Sequence, residues 1–206
     1  MMLPYAKFLH EAGYPTLAID SGADANSGIT WGWRERMAVL SAASELRRRG
    51  FEQRAALGVS EGAAEILLVQ AAGASFAALV ADSSYGNLEK MFRRVPSIAG
   101  LNPALRQTAL WETGLLIGHP LWKISPEQAA ANLGATPLLV IQNRDDKIVP
   151  LAEGEAIARA AADQGQLWVV QADGHGDAIY AAPEEYASRV LAFLGGHIVT
   201  ESSQRK

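Results

Sequence analysis

The chain has 206 residues, a net charge of −4 at pH 7, and 49% hydrophobic and 19% charged residues. This length and composition are typical of one compact globular domain and exclude a disordered chain. The acidic balance argues against a nucleic-acid partner, and the absence of cysteine excludes disulfides, thiol nucleophiles and cysteine-bound metals. No apolar run approaches the length of a membrane span, and residues 1–10 lack the layout of a signal peptide.

The hydrophobic pattern predicts helices and strands that alternate along the chain. In chain order we expect a helix at 5–11, a strand at 16–20, a loop at 21–30, a helix at 33–49, a strand at 54–59, a helix at 62–72, strands at 77–81 and 137–142, a helix at 151–164, a strand at 167–171 and a helix at 183–194. Nearly continuous apolar strands with helical crossovers predict an α/β fold with a mostly parallel sheet flanked by helices.

One segment, at about 83–136, departs from this alternation because it contains several prolines and no convincing strand. An insertion there would lie over the strand ends, where sites form in parallel sheets. Its apolar residues either line an acyl pocket or attach the insertion to the core: Phe92, Leu101, Leu110, Trp111, Leu115, Leu116 and Trp122. We predict a single domain at 1–194 with a small helical cap insertion at about 83–136, and a polar tail at 195–206.

The sequence Gly58-Val59-Ser60-Glu61-Gly62 is a G-x-S-x-G motif between a predicted strand and a predicted helix. In that context the motif predicts a nucleophile elbow, a sharp turn that exposes one serine hydroxyl. We expect both glycines to allow the close approach of strand and helix. The motif alone is weak in a chain with 19 glycines, and the alternative is a tight turn with a surface serine. The flanking elements and the partners downstream favour Ser60 as a nucleophile.

A serine nucleophile needs a base, and the base needs an acid that orients it. Of the four histidines, His175 follows a predicted strand in a glycine-flanked loop, so we predict that it is the base. The loop after the strand at 137–142 carries two candidate acids, Asp145 and Asp146, and Asp82 ends another strand. We rank Asp146 first, then Asp82, then Asp145.

These segments together resemble the α/β-hydrolase superfamily, close to its branch of serine esterases and acyl aminopeptidase-like proteins. The similarity covers residues 5–194 and rests on the motifs at 8–14, 57–63, 80–85, 137–150 and 172–177. The resemblance assigns the nucleophile to Ser60, the acid to Asp146 and the base to His175. It also implies that the backbone N–H of Glu61 is one donor to the oxyanion.

The superfamily has a second oxyanion loop and further strands upstream of the segment that matches residues 5–20, so the chain resembles an N-terminally abbreviated member. Without the strand between those at 16–20 and 54–59, the sheet would have a gap, or these two strands would pair directly. We expect a fragment of a longer protein. The alternatives are a homodimer that covers the exposed edge and a reduced hydrolase that has closed the gap.

The leading hypothesis is a serine esterase that acts on a small-molecule acyl substrate without a metal or organic cofactor. An amide or peptide hydrolase is the alternative of the same class, favoured if Glu89, Glu112 or Glu127 faces the site to hold a substrate amine. A catalytically impaired fragment that acts as a binding module is the alternative of a different class. We expect a cytoplasmic location, unless an N-terminal signal or anchor precedes the sequence.

Overall fold

A computed structural model describes residues 2–22 and 28–198. This described part of the chain contains four strands and ten α-helices. In chain order the elements are α1 (Leu3–Glu11), α2 (Arg36–Arg48), β1 (Ala55–Val59), α3 (Glu61–Ala71), β2 (Ala78–Asp82), α4 (Leu88–Arg94), α5 (Pro96–Ala99), α6 (Pro103–Ile117), α7 (Pro126–Ala130), β3 (Leu138–Asn143), α8 (Leu151–Ala160), β4 (Gly165–Val170), α9 (Ala178–Ala181) and α10 (Pro183–Gly195).

The four strands form one parallel sheet in the order β1-β2-β3-β4. Val59 lies opposite Asp82, and Asp82 lies opposite Ile141, so β1 and β2 end at the same level and β3 continues past them to Asn143. The predicted α/β class and parallel sheet are confirmed. The loops that follow β1, β3 and β4 therefore meet at one edge of the sheet, which is where the candidate site lies.

The two faces of the sheet bury separate apolar clusters, because successive side chains of a strand point to opposite faces. Leu79 and Ala81 pack with residues of α2, α3, α7 and α8, whereas Ala78 and Val80 pack with residues of α1, α9 and α10. Every residue of β2 and β3 is buried. Buried strands with few polar residues read as continuous apolar runs, which explains why the sequence revealed them.

The predicted strand at 16–20 is wrong. Residues 14–22 have no regular secondary structure; within 16–20, Thr16 and Leu17 are exposed and Ile19 packs against the core. Among the strands of the described residues, β1 pairs with β2 alone, so its other side is a sheet edge. Neither of the two outcomes expected for the abbreviated sheet is observed, because residues 16–20 form no strand that could pair with β1 or be separated from it by a gap. An apolar segment with no neighbouring strand cannot complete its backbone hydrogen bonds as a strand.

The segment at 83–136 folds into α4, α5, α6, a 3₁₀ turn at Leu121–Lys123 and α7, as the absence of a strand signal predicts. Leu110 and Ile117 are buried and attach α6 to the rest of the fold, while Trp111 and Leu116 are 64% and 82% exposed. A cavity of about 300 Å³ is lined by Leu110, Trp111, Trp122 and neighbouring residues, without Ser60 or His175. The cavity therefore gives no support to the acyl-pocket interpretation.

The predicted polar tail lies outside the described residues from residue 199 onward. Within residues 2–22 and 28–198, no helix is long and apolar enough to cross a membrane.

Candidate active site

Ser60 occupies the single residue between β1 and α3, and its backbone is held in an unusual conformation. Its φ is +55° and its ψ is −117°, a region that side-chain-bearing residues rarely adopt. The Ser60 N–H donates to the carbonyl of Asp82 at 2.8 Å, which ties the turn to the end of β2. This geometry presents the Ser60 hydroxyl at the carboxyl edge of the sheet.

Only one of the two motif glycines is required by the packing. A Cβ at Gly58 would collide with the backbone of Gly62 and Ala63, so β1 and α3 approach closely only with glycine at 58. A Cβ at Gly62 would meet no atom within 4 Å outside the helix backbone. The expectation that Gly62 is equally necessary is therefore wrong, because the close contact involves its carbonyl and not its missing side chain.

Ser60, His175 and Asp146 form a continuous hydrogen-bonded chain. The Ser60 Oγ lies 2.7 Å from His175 Nε2, and His175 Nδ1 lies 2.7 Å from Asp146 Oδ2. The Asp146 side chain is completely buried, and that of His175 is 17% exposed. Ser60 and His175 are 115 residues apart in the chain, and Asp146 and His175 are 29 residues apart. The fold brings these three predicted residues into hydrogen-bonding distance. A carboxylate here holds the Nδ1 proton and leaves Nε2 free to accept from the serine.

The Asp146 carboxylate is oriented by its own loop. Its Oδ1 accepts hydrogen bonds from the backbone N–H groups of Ile148 and Val149, at 2.8 and 2.9 Å. The amide of Gln142, at the end of β3, donates to Asp146 Oδ2 at 3.3 Å and to the Val149 carbonyl at 2.8 Å. Burial opposes ionisation of Asp146, but the hydrogen bonds from His175, Val149 and Ile148 keep its pKa below the usual value.

Hydrogen bonds fix the loop that carries His175 both before and after this residue. Asn143, the last residue of β3, donates from Nδ2 to the Gly174 carbonyl at 2.8 Å and also binds Asp177. The Tyr5 hydroxyl, from α1, donates to the Gly176 carbonyl at 3.4 Å. Sequence reasoning missed these supports. Two polar residues that end an otherwise apolar strand, Gln142 and Asn143, were the available signal.

The other candidates occupy different surroundings. Asp145 is exposed, and its backbone N–H bonds to the Ala172 carbonyl. Asp82 is buried at the end of β2, where its carboxylate accepts from Tyr186 and Ser83. Of the remaining histidines, His119 stacks on Trp33 with 3.6 Å between ring centroids. The structure thus brings Asp146, and not Asp145 or Asp82, into contact with His175.

Three glutamates lie together beside the serine turn. Glu35 is buried and accepts from Thr30 and from the Gly32 N–H, and Glu65 accepts from the Ser21 hydroxyl at 2.9 Å. The Glu61 side chain lies against Gly32, while its backbone N–H is the first of α3. Burial and the charge of Glu35 raise the pKa of Glu61. No group of three or more acidic or histidine side chains in the described ranges is arranged to hold a metal ion.

Replacing Glu65 with glutamine should stabilise the protein at alkaline pH. Burial, with added repulsion from Glu61 and Glu35, raises the pKa of Glu65 to about 7 despite the hydrogen bond from Ser21. A raised carboxyl pKa stabilises the fold below the unfolded-state pKa, and this stabilisation is lost as pH rises through about 7. In denaturant titrations the gain for Glu65→Gln should grow from pH 5 to pH 8 and reach at most about 3 kcal/mol.

The matched control for this prediction is Glu112→Gln, which removes an exposed glutamate on α6. Its effect on the free energy of unfolding should stay constant over the same pH range. A gain for Glu65→Gln that is constant, or that grows as the pH falls, would contradict the argument.

A parallel sheet with a serine, a histidine and an aspartate joined at its strand ends is the arrangement found in α/β-hydrolases. The chain belongs to the α/β-hydrolase superfamily. Residues 117–199 match the family described as TAP-like protein. A search of curated proteins found no match to the chain.

Solved structures similar to this chain include hydrolases from two Pyrococcus species. An esterase of Pyrococcus furiosus has a TM-score of 0.74 and 26% identity, over 96% of this chain and 76% of its own. An acylaminoacyl peptidase of Pyrococcus horikoshii has a TM-score of 0.57 and 20% identity, over 80% of this chain and 27% of its own, and this likeness shows the fold alone. The chain is a hydrolase of the α/β-hydrolase type.

Proposed function

We propose that this protein hydrolyses carboxylic esters through an acyl-enzyme intermediate on Ser60. The observation that carries the proposal is the pair of 2.7 Å contacts that link Ser60 to His175 and His175 to Asp146. A serine hydroxyl is a weak nucleophile at neutral pH, and a hydrogen-bonded imidazole with a buried carboxylate behind it supplies the missing base. The strained backbone of Ser60 is consistent with a nucleophile elbow.

In the first half of the reaction, Ser60 Oγ attacks the ester carbonyl and its proton passes to His175 Nε2. The carbonyl π electrons move to oxygen, and the backbone N–H of Glu61 donates a hydrogen bond to this oxyanion. Asp146 balances the positive charge on the imidazole. When the carbonyl re-forms, the bond to the alkoxy group breaks, and His175 returns the proton to the leaving alcohol.

In the second half, water attacks the acyl-enzyme while His175 takes one of its protons. Collapse of the second tetrahedral intermediate releases the carboxylic acid and restores the Ser60 hydroxyl. The Glu61 side chain does not oppose either oxyanion if it stays where it is found, against Gly32.

Ester cleavage is preferred to amide cleavage because two of the three glutamates that could hold a substrate amine already have cationic partners, and the third, Glu112, is exposed on α6. Glu89 forms an ion pair with Arg93, and Glu127 forms one with Lys90, both inside the insertion. The similarity to the Pyrococcus furiosus esterase supports the same choice. The acylaminoacyl peptidase likeness, at 20% identity, adds nothing on substrate.

The experiment is covalent labelling with a fluorophosphonate, followed by peptide mass spectrometry, together with hydrolysis of p-nitrophenyl butyrate. We expect one phosphonyl group per chain on the peptide that contains Ser60, with turnover of the ester by the unlabelled protein. Protein unfolded in guanidinium chloride is the control and should not be labelled, because the relay exists only in the fold.

Labelling spread over several serines, or absent from folded protein, would contradict the proposed function and favour a binding module with relic residues. Labelling of Ser60 with turnover of p-nitroanilide substrates but not of esters would favour amide hydrolysis.

A further inference from the structure

Asp82 is a buried carboxylate that the proposed reaction does not use. It ends β2, between the strand that leads to Ser60 and the strand that leads to Asp146, and its exposed fraction is 0%. Its carbonyl accepts the Ser60 N–H at 2.8 Å. Asp82 is therefore bound to the serine turn through the backbone and lies at the same sheet edge as His175.

The partners of the Asp82 carboxylate are neutral hydroxyl groups. The Ser83 hydroxyl donates to Oδ1 at 2.8 Å, and the Tyr186 hydroxyl, from α10, donates to Oδ2 at 3.0 Å. None of the ion pairs found in residues 2–22 and 28–198 includes Asp82. Burying an ionised carboxylate without a cationic partner costs folding free energy, so a functional reason for Asp82 is worth seeking.

The titratable groups around Asp82 come from three elements. Tyr186 lies on α10, Tyr5 lies on α1 with its ring 5.7 Å from that of Tyr186, and His175 and Asp177 lie on the loop after β4. Of these, His175 is the one that becomes positively charged when it takes up a proton, and that charge favours ionised Asp82. Asp177 acts in the opposite sense, and the two tyrosines are neutral near pH 7.

The balance of these effects keeps Asp82 titratable near neutrality. Burial raises its pKa to about 6, while the hydrogen bonds from Ser83 and Tyr186 and the charge of His175 act against the rise. Histidines in general change charge in the same pH range. Interaction between charges is mutual, so ionised Asp82 must favour the imidazolium form of His175 as much as imidazolium favours ionised Asp82.

We propose that Asp82 is a positioning residue for the proposed hydrolysis, a second carboxylate that stabilises through space the positive charge that His175 gains from Ser60. Asp146 touches the ring and sets its tautomer, whereas Asp82 adds negative charge from the neighbouring strand without touching the ring. The inference rests on the proposed function for its role in a reaction, but its electrostatic part is measurable without turnover.

The test compares wild type with Asp82→Asn and Tyr186→Phe. Ring-proton NMR follows the titration of His175, which is assigned by the signal lost in His175→Asn, and pH profiles of kcat/KM are measured with p-nitrophenyl butyrate. Loss of the negative charge in Asp82→Asn should move the midpoint of the His175 titration down by about 0.5 to 1 pH unit. The acid limb of kcat/KM should move in the same direction, because the reaction requires neutral imidazole.

The plateau of kcat should fall by about threefold to tenfold, because the imidazolium formed in the transition state is less stable. Tyr186→Phe removes a donor that favours ionised Asp82, so it should cause a smaller shift of the same sign. Tyr14→Phe is the matched control: it removes a hydroxyl that lies beside Gly195, at the end of α10, and leaves the Asp82 carboxylate and its two donors in place. It should not move the titration of His175.

An unchanged His175 midpoint in folded Asp82→Asn would overturn the inference, as would a shift of equal size in Tyr14→Phe. If Asp82→Asn does not fold, an unchanged midpoint in Tyr186→Phe overturns it. A His175 titration that responds to Asp82 in a protein that neither hydrolyses esters nor reacts with fluorophosphonate would support the coupling and refute the proposed function. Failure of the Asp82 inference and failure of the proposed function are therefore distinguishable.

Discussion

Ser60→Ala should lower kcat/KM for p-nitrophenyl butyrate by about 10⁴-fold to 10⁶-fold. The substitution removes the atom that attacks the carbonyl, and His175 and the Glu61 N–H can then act only on water. The fold should survive, since alanine keeps the Cβ that Ser60 already places in the strained turn. Rates are measured with separately purified wild type and variant, and folding is checked by thermal unfolding.

Ser41→Ala is the matched control for this experiment. Ser41 is exposed on α2, and its hydroxyl donates to the Met37 carbonyl one turn earlier. The same chemical change at this position should leave kcat/KM within about twofold of wild type, because surface substitutions rarely perturb the fold. Equal rates in wild type and Ser60→Ala would refute the catalytic hypothesis.

Asp146→Asn should lower kcat by about 10³-fold to 10⁴-fold while the protein stays folded. An asparagine amide cannot satisfy its neighbours in either orientation. With its NH₂ toward His175 it opposes the Nδ1 proton and forces the wrong tautomer, and with its NH₂ turned away it opposes the N–H groups of Ile148 and Val149. The measurement is kcat at saturating ester between pH 6 and 9.

Asp145→Asn gives the same chemical change one residue earlier in the same loop. Asp145 is exposed and contributes its backbone, not its side chain, to the hydrogen bond with Ala172. Its substitution should change kcat by less than about twofold. A larger loss for Asp145→Asn than for Asp146→Asn would reverse the ranking of the two acids that the sequence and the geometry both support.

The core of this fold could be read from local sequence. The strands β2 and β3 are uninterrupted apolar segments that end in polar residues, and the glycine-serine motif separates β1 from α3. The order of serine, acid and base along the chain pointed to Ser60, Asp146 and His175, and the fold places these three within hydrogen-bonding distance. Such signals are local because burial on both faces of a strand constrains every residue in it.

Features that depend on distant neighbours could not be read in this way. Residues 16–20 carry the composition of a strand but lie exposed, because a strand requires a partner and no strand of the described residues lies beside them. The burial of Glu65 and Asp82 likewise follows from helices and strands that pack around them. The identity of an acidic residue does not by itself indicate whether its carboxylate is solvated or buried.

The chain's own pattern of apolar runs and glycines was sufficient to predict the α/β class and the position of the serine turn, whereas the acid was chosen among Asp146, Asp82 and Asp145 with the help of the resemblance to α/β-hydrolases. The 2.7 Å contacts, the necessity of Gly58 but not Gly62, the open edge of β1 and the burial of Glu65 and Asp82 emerged only with the packed fold. The reason is that periodicity reports which face of an element is buried, whereas distances and desolvation depend on which other elements occupy that face.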